Sequence, residues 1–171
     1  MNTELKSPRL TYRDWFETVP DEITGDSLWK MEAYRLSLFI GDIAWHDVTR
    51  LGADVRTRSL SDQLYRAVGS LAANVSEGYS RSSGKDRARF YEYALGSARE
   101  ARGWYYEGRH ILSNEVLVHR LRFLTEVTRL LLTMVPHNRD LVLRDEVAEY
   151  RTQFPNADQA SVPLLAEAVP F

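Results

Sequence analysis

A chain of 171 residues is about one domain long, and its 44% apolar content is enough to build a core rather than a disordered polymer. Its formal net charge of −2 sets 22 basic residues, of which 19 are arginine, against 24 acidic ones, which argues against a bulk polycation coating nucleic acid. The absence of cysteine excludes a disulfide scaffold, Cys-ligated zinc, iron–sulfur clusters and thiol catalysis.

Residues 1–26 read as an irregular acidic arm holding Pro8 and Pro20, which Tyr12, Trp15 and Phe16 could pin to a surface. The arm lacks the uninterrupted apolar run of a targeting segment. From Leu28 to about Leu51 a single helix is predicted, because Trp29, Ala33, Leu36, Ile40, Ile43 or Ala44, and Val48 recur at steps of three and four. Gly52 is its expected stop. Ser59 and Asp62 have capping-box spacing for a second helix. Its stripe is Leu64, Ala67 or Val68, Leu71 and Val75, and Gly78 suits its end.

Ser83 and Asp86 repeat the start signal for a third helix reaching about Leu112, with Phe90, Ala94, Ser97, Ala101, Trp104 or Tyr105, and Ile111 near one face. Ser113–Asn114 separates it from a fourth stripe, Leu117, Leu121, Leu124, Val127 or Thr128, Leu131 and Met134, which Pro136 is expected to stop. A short amphipathic helix over Asp140 to Arg151 follows, through Leu141, Val142, Val147 and Tyr150. Pro155 to Phe171, with three prolines, reads as extended or mobile.

No alternating strand pattern competes, so the predicted fold is all-α: an antiparallel four-helix bundle over residues 27–136, with extensions over 1–26 and 137–171. Helix three is ringed by aromatics, more than one bundle face can bury. Tyr91, Tyr93, Trp104, Tyr105 and Tyr106 are therefore predicted to form an oligomer interface. The apolar run Leu130 to Val135 is far too short to span a membrane, which points to a soluble cytoplasmic protein.

Catalytic patterns are scarce. A ferritin-like di-iron centre needs two Glu-x-x-His motifs; only Glu107 to His110 fits, and His46, His119 and His137 lack the matching Glu. There is no Walker or Rossmann glycine pattern, and Ser70, Ser76 and Ser97 have no evident triad partners. No enzyme, cofactor or metal is predicted. Gly69, Ala72, Ala73, Gly96, Ser97 and Ala98 are small residues whose return would be close approach of helices two and three. Asn74, Glu77, Arg81 and Glu100 lie among them and are predicted to form an inward structural polar network.

The charge is uneven: residues 56–109 hold ten basic and six acidic groups, whereas residues 140–171 hold two and six. The positive centre supplies a candidate nucleic-acid surface of Arg66, Arg81, Lys85, Arg87, Arg89, Arg99 and Arg102, extended by Arg56, Arg58 and Arg109. The competing reading pairs these arginines with Asp62, Asp86, Glu92 and Glu107 along solvated helices.

The run Gln63–Leu64–Tyr65–Arg66–Ala67, then Ser70–Leu71, Asn74–Val75–Ser76–Glu77–Gly78, Arg81, Ser83, Arg89–Phe90, Ala94, Gly96–Ser97 and Glu100 resembles a known family. It is that of the four-helix-bundle proteins encoded by intervening sequences in bacterial 23S ribosomal RNA genes, to which the accessory variability proteins of diversity-generating retroelements are related. The family pattern is approximately Q-L-x-R-A, S-I, N-I-A-E-G, R-x-S, R-F-L and A-x-G-S-x-x-E. Leu71, Val75, Ser76 and Tyr91 depart from it mildly. The resemblance covers about residues 28–135. It implies a subunit assembling into a ring, typically a homopentamer, with no established activity in the ribosomal group. For the retroelement group it implies a basic, RNA- or DNA-binding partner of a reverse transcriptase. The preferred expectation is a non-enzymatic homo-oligomer acting through protein interactions, with a nucleic-acid-binding accessory subunit as the alternative and a cryptic enzyme as a distant third.

Overall fold

A computed structural model describes residues 11–139 and 165–171; the helix predicted over 140–151 and the stretch 155–164 lie outside the described residues. Every regular element among the described residues is helical. Two short helices, α1 (Tyr12–Phe16) and α2 (Asp21–Thr24), precede four long ones: α3 (Glu32–Ala53), α4 (Arg58–Tyr79), α5 (Gly84–Glu107) and α6 (Asn114–Arg139).

Consecutive long helices pack on one another, and α6 closes more thinly against α3. The Trp45–Tyr65 ring contact in the middle and the Tyr79–Ser27 hydrogen bond at the end make α3 and α4 antiparallel. Leu36, Ile40, Ile43, Leu64, Leu71, Val75, Leu124 and Leu131 are all buried, as their three- and four-residue spacing predicts. On α5 the buried face is built from Ala88, Ala94, Ala98 and Ala101, whose short side chains let neighbouring helices approach.

Several boundaries depart from the sequence reading. The first long helix does not start at Leu28: Ser27–Lys30 is a separate 3-10 turn, capped by Asp26, whose carboxylate accepts from the Leu28 amide at 2.8 Å. α4 begins at Arg58 behind Thr57, so the Ser59–Asp62 capping box is not used. The Ser83 cap is formed, its hydroxyl accepting from the Asp86 amide at 3.0 Å. α5 itself ends at Glu107, and a 3-10 turn over Gly108–His110 follows it. α6 runs past Pro136 to Arg139. The proline's missing N–H costs one backbone bond, to the carbonyl of Leu132, and does not stop the helix where the sequence suggests.

The segment read as an irregular arm contains ordered helix. α1 starts on a capping box between Thr11 and Asp14, and Trp15 is buried. The Trp15 ring lies 5.1 Å from Phe39 and 6.0 Å from Trp29, and Phe39 reaches Phe123 at 5.4 Å. The Trp15 indole N–H also donates to Asp42. Trp15 and Tyr12 thus pin the segment onto α3, while Phe16 remains partly exposed.

The glycines resolve into two kinds. Gly78, read as a helix stop, instead lies buried against α5, where a Cβ would stand 2.6 Å from Cε1 of Tyr91. Gly69 and Gly96, predicted to let α4 and α5 approach, face outward, with nothing within 4 Å of a Cβ.

Candidate functional site

Polar residues interrupt the apolar stripes of α3 and α6 at facing positions. Asp47 follows Ile40, Ile43 and Ala44 on the inner face of α3, and Arg120 stands between Val116 and Leu124 on α6. Both are buried, at 1% and 0% exposure, and Arg120 is among the largest fully buried side chains. Its Nε donates to Oδ2 of Asp47 at 2.7 Å and its Nη2 to Oδ1 at 3.2 Å, a two-pronged pairing that matches the guanidinium fork to the carboxylate. Tyr105 of α5 donates its hydroxyl to Oδ2 at 2.9 Å, tying a third helix to the same carboxylate.

Arg120 makes two more polar contacts. Nη1 lies 2.9 Å from Nδ1 of His119, which must accept and therefore leaves the ring proton on Nε2. Nη2 donates to the main-chain carbonyl of Pro170 at 2.9 Å. The C-terminal stretch 165–171 is held there further by buried Val169, by Phe171 packing 4.7 Å from the His46 ring, and by Glu167 lying 3.5 Å from Arg122. Burial, then the positive charges of Arg120 and Arg122, push the His119 pKa down to about 4. Burial and the Asp47 carboxylate push Tyr105 well above its ordinary value, so it remains a hydroxyl donor.

Chemically the Asp47–Arg120–Tyr105 cluster is closed: all three side chains are buried and joined through the Asp47 carboxylate. That is the pattern of a structural ion pair, held by excellent geometry and satisfied lone pairs. Among the described residues no group of three or more His, Asp or Glu could hold a metal ion. A cleft of about 350 Å³ borders it, lined by Val118, His119, Arg122, Glu167 and Pro170. Another of about 660 Å³ lies at the opposite end of the bundle, where Arg87 and His137 meet Met31, Tyr79 and Tyr91.

The residues singled out in the sequence are placed otherwise. Asn74 donates to the Ser70 carbonyl of its own helix at 2.8 Å, Glu77 pairs with Arg81 one turn on, and Glu100 accepts from Trp104 Nε1 at 3.2 Å. These are local contacts at the surface, within one helix or just past its end, and they do not join into an inward network linking α4 and α5. A short polar side chain on an outer helix face finds its own backbone before it finds a neighbouring helix. Arg81 and Arg89 lie 4.7 and 5.5 Å from the Phe90 ring, with Arg89 also 3.5 Å from Asp86. Arg87 donates to the Arg81 carbonyl at 3.0 Å. Lys85, Arg66 and Arg99 are exposed, and Arg102 is half-buried.

The aromatic set divides by depth. Tyr91 and Tyr105 are in the interior of their own chain and cannot serve a contact between chains as predicted. Tyr93 and Tyr106 are each 53% exposed, and Trp104 is intermediate. Two further exposed aromatics, Trp45 and Tyr65, pair edge to face across α3 and α4 at 5.9 Å and were not anticipated.

No helix among the described residues is long and apolar enough to cross a membrane. The family model for the 23S rRNA-intervening sequence protein matches residues 30–133, a span that opens in the turn before α3 and closes within α6. Among curated proteins and solved structures, none matches the chain.

Proposed function

The chain belongs to the 23S rRNA-intervening sequence protein family, and from that premise we propose that it is a non-enzymatic helical subunit that self-associates and acts through protein contacts. The observation that carries this reading is the division between a sealed interior and an aromatic exterior. The Asp47–Arg120–Tyr105 cluster offers no open position to a substrate, while Trp45, Tyr65, Tyr93 and Tyr106 stand on the outer faces of α3, α4 and α5. Exposed tyrosine and tryptophan are the side chains that most often anchor protein contacts. A closed ring, a pentamer in the finer version, fits the same reading. Absolute mass by light scattering tests it: a stable multiple of 19.7 kDa supports self-association, and 19.7 kDa throughout the micromolar range refutes it.

A second reading is an RNA- or DNA-binding accessory subunit, of the kind that serves a reverse transcriptase. It is favoured by the gathering of Arg81, Lys85, Arg87 and Arg89 around the α4–α5 turn. The pairing of Arg81 with Glu77 and of Arg89 with Asp86 weakens it, since these cations already face carboxylates. Binding of a labelled single strand that falls steeply with added salt, and falls again when the four are neutralised, supports this reading. No binding at low salt refutes it.

A further inference from the structure

Glycine inside a helix costs about 0.5–1 kcal/mol relative to alanine. Within the chain Gly78 has a reason for it, because Tyr91 occupies the place of its Cβ. Gly69 of α4 and Gly96 and Gly103 of α5 have none: a Cβ at each would meet nothing within 4 Å. They lie on two outward stripes. On α5, Arg89, Tyr93, Gly96, Glu100, Gly103 and Glu107 recur at three- and four-residue steps and are all exposed; on α4, Arg58, Asp62, Arg66, Gly69 and Ala73 do the same.

The two stripes are complementary when run antiparallel with Gly96 over Gly69. Glu100, four positions beyond Gly96, then faces Arg66, three before Gly69. Glu107, eleven beyond, faces Arg58, eleven before. Gly103 opposes Asp62, and Tyr93 lies over Ala73. Among the described residues Arg58, Arg66 and Glu107 make no ion pair within the chain. Glu100 commits one oxygen, Oε1, to the Trp104 indole. Two carboxylates on one stripe thus meet two guanidiniums on the other, around a paired-glycine crossing where helix backbones can approach closely.

We propose that the outer stripe of α5 docks on the outer stripe of α4 of a second copy, with Gly96 against Gly69 and the ion pairs Glu100–Arg66 and Glu107–Arg58 beside it. The proposal rests on the self-association reading and names its faces. Because the stripes are different surfaces of one molecule, the contact is head to tail: each copy keeps one stripe of each kind for its next neighbours. Such contacts close into a ring or extend as a filament, depending on the rotation between copies.

The test exploits the absence of native cysteine. Chains carrying Gly69→Cys and Gly96→Cys are mixed and oxidised. The expected product is a disulfide-linked pair of twice 19.7 kDa that forms in the mixture well beyond either chain alone. In parallel, Arg66→Glu weakens association about tenfold, the scale of one opposed charge pair, and adding Glu100→Arg to the same chain restores it. Circular dichroism confirms that the variants fold. Native chains that associate, with no excess mixed cross-link and no charge-swap rescue, overturn this pairing while leaving self-association standing. A native chain that remains at 19.7 kDa overturns both.

Discussion

Arg120 grips both carboxylate oxygens of Asp47, at 2.7 and 3.2 Å, across 73 positions of sequence and with neither side chain reaching solvent. The pair fixes α6 against α3, the thinnest of the four helix contacts that close the bundle. Tyr105 brings α5 to the same carboxylate, so one oxygen, Oδ2, joins three helices.

Breaking one side of this pair strands a buried charge. Asp47→Ala or Arg120→Ala is expected to cost about 3–5 kcal/mol of folding stability. Urea unfolding of the single variants measures it, and a loss below 1 kcal/mol would mean that the pair is not the closed contact described.

His119 makes stability depend on pH in a defined window. Its folded pKa is about 4 against an ordinary 6.5, so the unfolded chain takes up the proton first as pH falls. Stability is expected to decline between about pH 6.5 and 4 by up to ~3 kcal/mol, with no further contribution from this group below that window. The unfolding free energy of native chain and His119→Gln over pH 4–7 checks it; an equal slope in both would assign the effect elsewhere.

The stretch 165–171 is part of the interior's hydrogen bonding. A chain ending at Ala168 loses buried Val169 and the Pro170 carbonyl that satisfies Nη2 of Arg120. The expected cost is about 2–4 kcal/mol, combining one apolar side chain with one orphaned charged donor. Thermal unfolding of the shortened chain reads it directly, and an unchanged midpoint would contradict the role given to Pro170.

Two helical glycines should respond with opposite sign. Gly78→Ala drives a Cβ to within 2.6 Å of the Tyr91 ring and is expected to destabilise by about 1–3 kcal/mol. Gly41→Ala meets open space and is expected to stabilise by about 0.5–1 kcal/mol. Chemical denaturation of both variants settles the contrast; two changes of the same sign would refute it.

The helices were legible because periodicity reports burial: Leu64, Leu71 and Val75 lie inside as their spacing requires. The residue-pattern resemblance across Gln63–Glu100 likewise led to the family that the chain belongs to. The buried cluster was harder to see. Asp47 sits on the α3 stripe one position before Val48, and a pattern search that accepts only apolar residues steps over it. Its signal was available, since Asp47 and Arg120 both hold core positions with opposite charge, yet pairing them across 73 positions needs the three-dimensional register. Asn74, Glu77 and Glu100 stand among small residues in the sequence. Periodicity does not show whether such a residue bonds inward or back to its own helix, as Asn74 does with Ser70.

On the proposed reading, the interior cluster holds the fold and the outer faces carry self-association. Joint replacement Asp47→Leu with Arg120→Met exchanges a buried ion pair for apolar side chains, a change that is often neutral or stabilising. The direct measurement is the light-scattering mass of this double variant beside the native chain. A folded protein with the native associated mass is expected; a folded double variant reduced to 19.7 kDa, beside a native chain that still associates, would instead place the association in the interior.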